Sequence, residues 1–200
     1  MRTTAVWPPA AHDRASLVRG YGVVLGWPLM VGGQRVDSVA HAAQEIVRDE
    51  ALSLHTVCSA FDALSVPRPA GTDALLRLDR RDMLVPSLIT AEWVTLLVTA
   101  GTGARLGDLP GVEVASGSRA LLALPPTVGV RWDTMPWSIA SPAPLDLPDG
   151  MLVRAALVDG LRLYGQCVGY HGNPPRSAQR LAGSSAGVPS RGTSVQEARR

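Results

Sequence analysis

Residues 117–132 read GSRALLALPPTVGVRW, and the reading of this stretch decides the fold. The apolar run Ala120–Leu124 drives into Pro125-Pro126, and Val130-Arg131-Trp132 follows after a short gap. Proline lacks a backbone N–H and cannot continue a sheet ladder. The stretch therefore reads as a buried strand, an enforced stop and a second short extended piece. Upstream, Val112–Val114 has the composition of a short strand, and residues 115–119 hold the Gly and Ser of a turn. Those pieces predict that Val112–Val114 and Ala120–Leu124 pair across the turn.

Working outward, His55–Val66 is the longest strand-like segment, closed by Pro67 and Pro69. Leu88–Ala91 and Trp93–Thr99 read as a hairpin or two successive strands. Val23–Leu25 and Trp27–Val31 read as extended, with a turn at Gly32-Gly33. Helices are predicted over Ala10–Tyr21 and from Asp37 or Ser38 to about Leu52, where Val39, Ala42, Ala43, Ile46 and Val47 form one stripe. A short helix is predicted from Asp73, placed near its N-terminus to face the positive dipole end. The clearest helix is Met151–Cys167. The expected class is α+β: a mainly antiparallel sheet flanked by helices. Residues 1–9 read as a flexible arm and 10–170 as the domain. Residues 171–200, rich in Gly, Ser, Pro and Arg, read as a disordered tail.

The chain has 200 residues, 46% of them hydrophobic and 18% charged, which is ordinary for one domain with a core. All 19 basic residues are Arg, scattered rather than clustered, and the net charge of +2 does not demand a nucleic-acid partner. Cys58 and Cys167 lie far apart and read as buried, reduced thiols. His12, His41, His55 and His171 form no metal-ligand spacing. No segment has the roughly 18 uninterrupted apolar residues needed to cross a bilayer. Residues 1–11 lack the apolar core of a signal peptide, so a cytoplasmic location is expected. Gly101-Thr102-Gly103 is not followed by the Gly-Lys-Ser/Thr of a phosphate loop. Gly183-Ser184-Ser185-Ala186-Gly187 lacks the strand–turn–helix setting of a nucleophile elbow.

Taken in order, several fragments resemble the actinobacterial bifunctional DNA primase/polymerase N-terminal domain, a branch of the archaeo-eukaryotic primase superfamily. They are Gly26-Trp27-Pro28-Leu29, Phe61–Pro67 followed by Ala70-Gly71 and a leucine-rich helix, the extended Val94–Val98, Val112–Val114, and Leu124–Thr127 with Arg131-Trp132. The resemblance implies a prim-pol-like sheet with an Asp-x-Asp pair on one strand, a His on an intervening strand and a third acidic residue on a later one. Two divalent cations would bridge triphosphate and primer through those carboxylates. This chain departs from the pattern. Ser65 and Pro67 stand at the acidic positions, and Trp93–Val98 holds no His. Asp62 and Glu113 remain as the candidate catalytic or metal-binding carboxylates.

The expectation is a catalytically inactive module that binds single-stranded DNA or a replication or regulatory protein, away from membranes and with no cofactor. The enzyme alternative is a divergent primase/polymerase using Asp62 and Glu113 with Mg²⁺ or Mn²⁺. A third reading is a structural or regulatory protein with no nucleotide site. Candidate nucleic-acid contacts are Arg131, Trp137, Arg176 and Arg180, with Arg191, Arg199 and Arg200 in the same tail.

Overall fold

The computed structural model describes residues 13–137 and 143–168, and side chains as far as residue 165. The predicted arm over 1–9 and tail over 171–200, with Arg176, Arg180, Arg191, Arg199 and Arg200, lie outside the described residues. So do His12 and His171 and the side chain of Cys167.

The chain runs α1 (Arg14–Arg19), β1 (Leu29–Val31), β2 (Gln34–Arg35), α2 (Val39–Arg48), β3 (Leu54–Pro67), α3 (Arg68–Asp79), β4 (Ser87–Ile89), β5 (Trp93–Thr99), β6 (Glu113–Leu124), β7 (Arg131–Thr134) and α4 (Gly150–Val168). The fold is α+β. The seven strands form one sheet in which every pairing is antiparallel.

The sheet is organised by β3. Its first residues, Leu54–Thr56, pair with β1, and its last, Phe61–Pro67, pair with β5. Its other edge is taken by β6. From β5 the sheet continues through β4 to β7. Side chains alternate between faces along a strand. Phe61, Ala63 and Leu97 face the layer of α1 and α2, where they join Leu17, Val18, Tyr21, Ala43 and Ile46. Leu64, Val66, Val94, Leu96 and Val98 face the opposite layer, with Ala74 and Leu78 of α3 and Val153, Ala156 and Leu157 of α4. Two cores therefore flank one sheet.

Glycines set the spacing on the second face. A Cβ on Gly71 would lie 2.4 Å from Val94 Cβ, so α3 sits close against β5. A Cβ on Gly160 would lie 2.3 Å from the Ala70 carbonyl oxygen, so α4 sits equally close on α3.

The stretch that opened the sequence analysis folds differently in one respect. Val112–Val114 and Ala120–Leu124 are not a hairpin. Glu113–Leu124 is one strand, and both halves pair with β3. The expected turn is a kink at Gly117, whose φ of +78° only glycine adopts freely. Irregular register on both sides of Cys58 absorbs the extra residues. Because its one pairing partner among the described strands is β3, Ala120–Leu124 is not uniformly buried. Leu124 is buried, while Leu121 is exposed. After Pro125-Pro126, the Thr127 hydroxyl accepts from Leu54 N–H at 2.8 Å and donates to the Leu54 carbonyl at 3.1 Å. The motif thus pins the end of β6 to the start of β3.

Three further expectations change. Val23 and Val24 are not extended: α1 continues into a π-helical turn over Gly20–Val24. The second helix stops at Arg48, short of Leu52, although Ser38 caps it as predicted and accepts from His41 N–H. The third helix begins at Arg68, not Asp73. Pro69 falls in its first turn, where a missing N–H costs nothing. Asp73 is consequently mid-helix, paired with Arg77 one turn on at 2.6 Å. The hairpin of β4 and β5 and the long C-terminal helix form where the pattern placed them. No described helix is long and apolar enough to cross a membrane.

Candidate functional site

The strand register places the candidate acidic residues. Glu113 on β6 pairs with Ser65 on β3, and Ser65 pairs with Thr95 on β5. Thr95 pairs with Leu88 on β4, and Leu88 with Trp132 on β7. Paired residues share a face, so Glu113, Ser65, Thr95, Leu88 and Trp132 form one transverse row across five strands. The row begins with a carboxylate and ends on an aromatic ring. Its face is the one that carries Phe61 and Ala63.

At the polar end, Ser65 Oγ and Thr95 Oγ1 lie 2.8 Å apart in a hydrogen bond. Thr95 is buried, while Ser65 and Glu113 are half-buried. At the other end, Trp132 Nε1 donates to the Tyr21 hydroxyl at 2.7 Å. Burial raises the Tyr21 pKa, against the opposing pull of that hydrogen bond.

Asp62 does not join the row. It is one residue from Phe61 and Ala63 on a regularly paired segment of β3, so it points to the opposite face, with Leu64 and Val66. There it is almost fully buried, and its Oδ2 accepts the Gly103 N–H at 2.7 Å. Gly103 opens a 3₁₀ turn over Gly103–Leu106. A Cβ on Gly103 would come within 2.7 Å of Asp62 Cβ and 3.0 Å of Oδ2. The carboxylate and the glycine are thus fitted to one another, and Asp62 holds this turn against the sheet. Cys58 is buried close by, and burial, with a smaller contribution from the Asp62 charge, pushes its thiol up to about 12.

The two-carboxylate site of the enzyme alternative, on Asp62 and Glu113, is therefore not assembled. The two groups lie on opposite faces of the sheet and cannot share a cation. Among the described residues, no three His, Cys, Asp or Glu side chains gather closely enough to hold a metal ion. The row itself offers one carboxylate and two neutral hydroxyls already bonded to each other, a weak donor set for a hard dication. Among the described residues, no histidine stands beside Ser65: His55 is at the other end of β3, and His41 is on α2.

The nucleic-acid candidates fare unequally. Trp137, expected at the surface, is buried at 2% exposure. It bridges to Pro144, and its ring centroid lies 5.7 Å from that of Tyr21. Tyr21 also stacks on Trp27 at 6.0 Å, and Trp27 meets Phe61 at 4.7 Å. These aromatic rings are packing elements of the first core. Arg131 is exposed on β7, opposite Ile89, and so lies on the face away from the polar row. Gly103 and Thr127, the residues that position Asp62 and the Pro125-Pro126 corner, carried no functional signal in the sequence.

No family model, curated protein or solved structure matches the chain.

Proposed function

We propose that this protein is a non-catalytic interaction module built on a sheet of the primase/polymerase kind, serving a replication or regulatory assembly through a protein partner. One observation carries the non-catalytic part: Asp62 and Glu113 occupy opposite faces of the sheet. Phosphoryl transfer by this family depends on cations held between carboxylates, which supply most of the charge stabilisation. The row Glu113–Ser65–Thr95 offers one carboxylate and two hydroxyls, short of the paired carboxylates that such cations need.

A protein partner is favoured over nucleic acid by the burial of several aromatic rings, although Trp93, Trp132 and Tyr164 are half-buried. Binding of single strands uses exposed rings on which bases stack. Tyr21, Trp27 and Trp137 are buried in the first core.

The test combines primer extension with a binding titration. With Mg²⁺ or Mn²⁺, the full chain is expected to extend no primer, and a labelled single-stranded oligonucleotide should show no saturable binding at low salt. Templated synthesis abolished by Asp62→Asn and by Glu113→Gln would establish the enzyme reading instead. Saturable oligonucleotide binding with a steep salt dependence would replace the protein partner with nucleic acid.

A further inference from the structure

Helix α4 buries one side and leaves apolar residues along the other. Val153, Ala156 and Leu157 close the second core, and Gly160 lies against α3. The outer side of a surface helix is ordinarily polar. Here Met151, Ala155 and Val158 are exposed along it, Met151 by 45% and Val158 by 39%. With Arg162 they fall at spacings of four, three and four. Those spacings are the a/d repeat by which two helices pack along a common seam. From Met151 to Arg162 the stripe is about 17 Å long.

The charges around the stripe select what covers it. On its flanks, Arg154 is held by Asp108 at 2.9 Å and Asp159 by Arg77 at 3.3 Å, so neither brings an unpaired charge to the seam. At its two ends stand Asp149 and Arg162, both exposed and in no ion pair among the described residues. Asp149 Oδ1 accepts the Met151 N–H at 2.7 Å and so caps the helix, which leaves Oδ2 for another partner. The stripe therefore carries an unpaired acid at one end and an unpaired base at the other.

That pattern is its own complement when reversed. A second α4, turned end over end about the midpoint of Ala155 and Val158, packs its Val158 on Ala155 and its Arg162 on Met151. Asp149 lies two residues before Met151, about 3 Å along the axis, within reach of that guanidinium. The Arg162 stem covers Met151 while its charged head meets the carboxylate. The two-fold axis makes each contact twice. A parallel pairing would instead set Asp149 against Asp149 and Arg162 against Arg162.

We infer that the outer stripe of α4 is a self-association surface, on which a second copy of this chain packs its own α4 antiparallel, with Asp149 and Arg162 paired at each end. A helix face about 17 Å long and about 10 Å wide is small beside the roughly 800 Å² per partner of a standard stable interface, so the dimer is a weak, concentration-dependent one. This surface goes beyond the interaction-module reading and does not rest on it.

The test is sedimentation equilibrium of the full chain from about 1 μM to about 1 mM, the range in which a weak dimer dissociates. A monomer–dimer equilibrium is expected. Val158→Glu and Ala155→Glu should each raise the dissociation constant by about tenfold or more. Val47→Glu, exposed on α2 in the layer on the other side of the sheet, should leave it unchanged. Arg162→Glu sets a carboxylate against Asp149 of the second copy, and Asp149→Arg sets a guanidinium against its Arg162. Each variant alone should associate more weakly than the wild type, and an equimolar mixture of the two should recover the dimer, because every end contact is then between opposite charges. All four stripe positions are exposed, and thermal melts check that the variants fold, Asp149→Arg in particular since it loses the cap. A chain that stays monomeric throughout the range would overturn the inference. So would a dimer indifferent to Val158→Glu, which would lie on another surface. A dimer that both charge variants leave as tight as the wild type would overturn the antiparallel pairing. None of these results bears on the non-catalytic reading, and primer extension would remove that reading without touching the dimer.

Discussion

Asp62 is the residue on which a structural and a catalytic role predict opposite results. It is 2% exposed, and its Oδ2 accepts the Gly103 N–H at 2.7 Å. Asp62→Ala removes the acceptor and leaves that N–H buried without its partner. A hydrogen bond to a charged group contributes about 1.5–3 kcal/mol, and an orphaned buried donor costs about 1–3 kcal/mol. Relief from burying the carboxylate works in the other direction. The net expectation is a loss of about 2 kcal/mol. For a domain of this size that lowers the melting temperature by roughly 4–8 °C. Glu113→Ala, half-buried on the edge strand, should change stability by less than about 0.5 kcal/mol. Guanidinium unfolding with a shared m-value measures both. A metal site behaves differently. Mn²⁺ at about a hundred times its Kd would stabilise the wild type by about 2.7 kcal/mol, and the variants not at all. Asp62→Ala unfolding at the wild-type midpoint, or a Mn²⁺ stabilisation that disappears in it, would refute the structural assignment.

Two further predictions concern packing and protonation. Gly160→Val places methyl groups where a bare Cβ already meets the Ala70 carbonyl at 2.3 Å, so α4 must move off α3. A loss of more than about 2 kcal/mol in denaturant unfolding is expected, and an unchanged midpoint would mean the contact is slack. His55 has a buried Nδ1 with no hydrogen-bond partner among the described residues, and burial lowers its pKa. The neutral ring is thus favoured in the folded state. The unfolded chain takes up its proton first as pH falls below about 6.5, so stability present above that pH is lost toward pH 5. The slope should flatten in His55→Gln; an identical slope would place the effect elsewhere.

The elements legible in the sequence are those whose signal is local. Helix α2 carries a Ser38 cap and the stripe Val39, Ala42, Ala43, Ile46 and Val47, of which it buries Ala42, Ala43 and Ile46 and leaves Val47 exposed. Strand β3 is a long β-rich run, and it became the centre of the sheet. The misread elements depend on distant partners. Residues 115–119 have turn chemistry, but β3 supplies matching irregularities near Cys58, so the strand runs through. Pro67 closes β3 as read, but the helix follows at once rather than from Asp73, because Pro69 suits the first turn of α3. Trp137 sits in proline-rich sequence that resembles a surface loop, and its burial is set by Tyr21 at the other end of the domain. The partner of Asp62 is 41 positions away, and a glycine N–H leaves no trace in a pattern of side chains.

The candidate site was legible in its gaps more than in its contacts. The absence of carboxylates at Ser65 and Pro67 was readable directly, and period-two alternation keeps Asp62 off their face. Bringing Asp62 into the row of Glu113 and Thr95 requires a one-residue slip of β3. That slip would turn Leu64 and Val66 out of the core shared with α3 and α4, and bring Phe61 and Ala63 out of the core shared with α1 and α2. Two hydrophobic layers therefore fix the face on which the Asp62 carboxylate must lie. Positions 65 and 67 share the face of Glu113, so a second carboxylate fits there without dismantling a core.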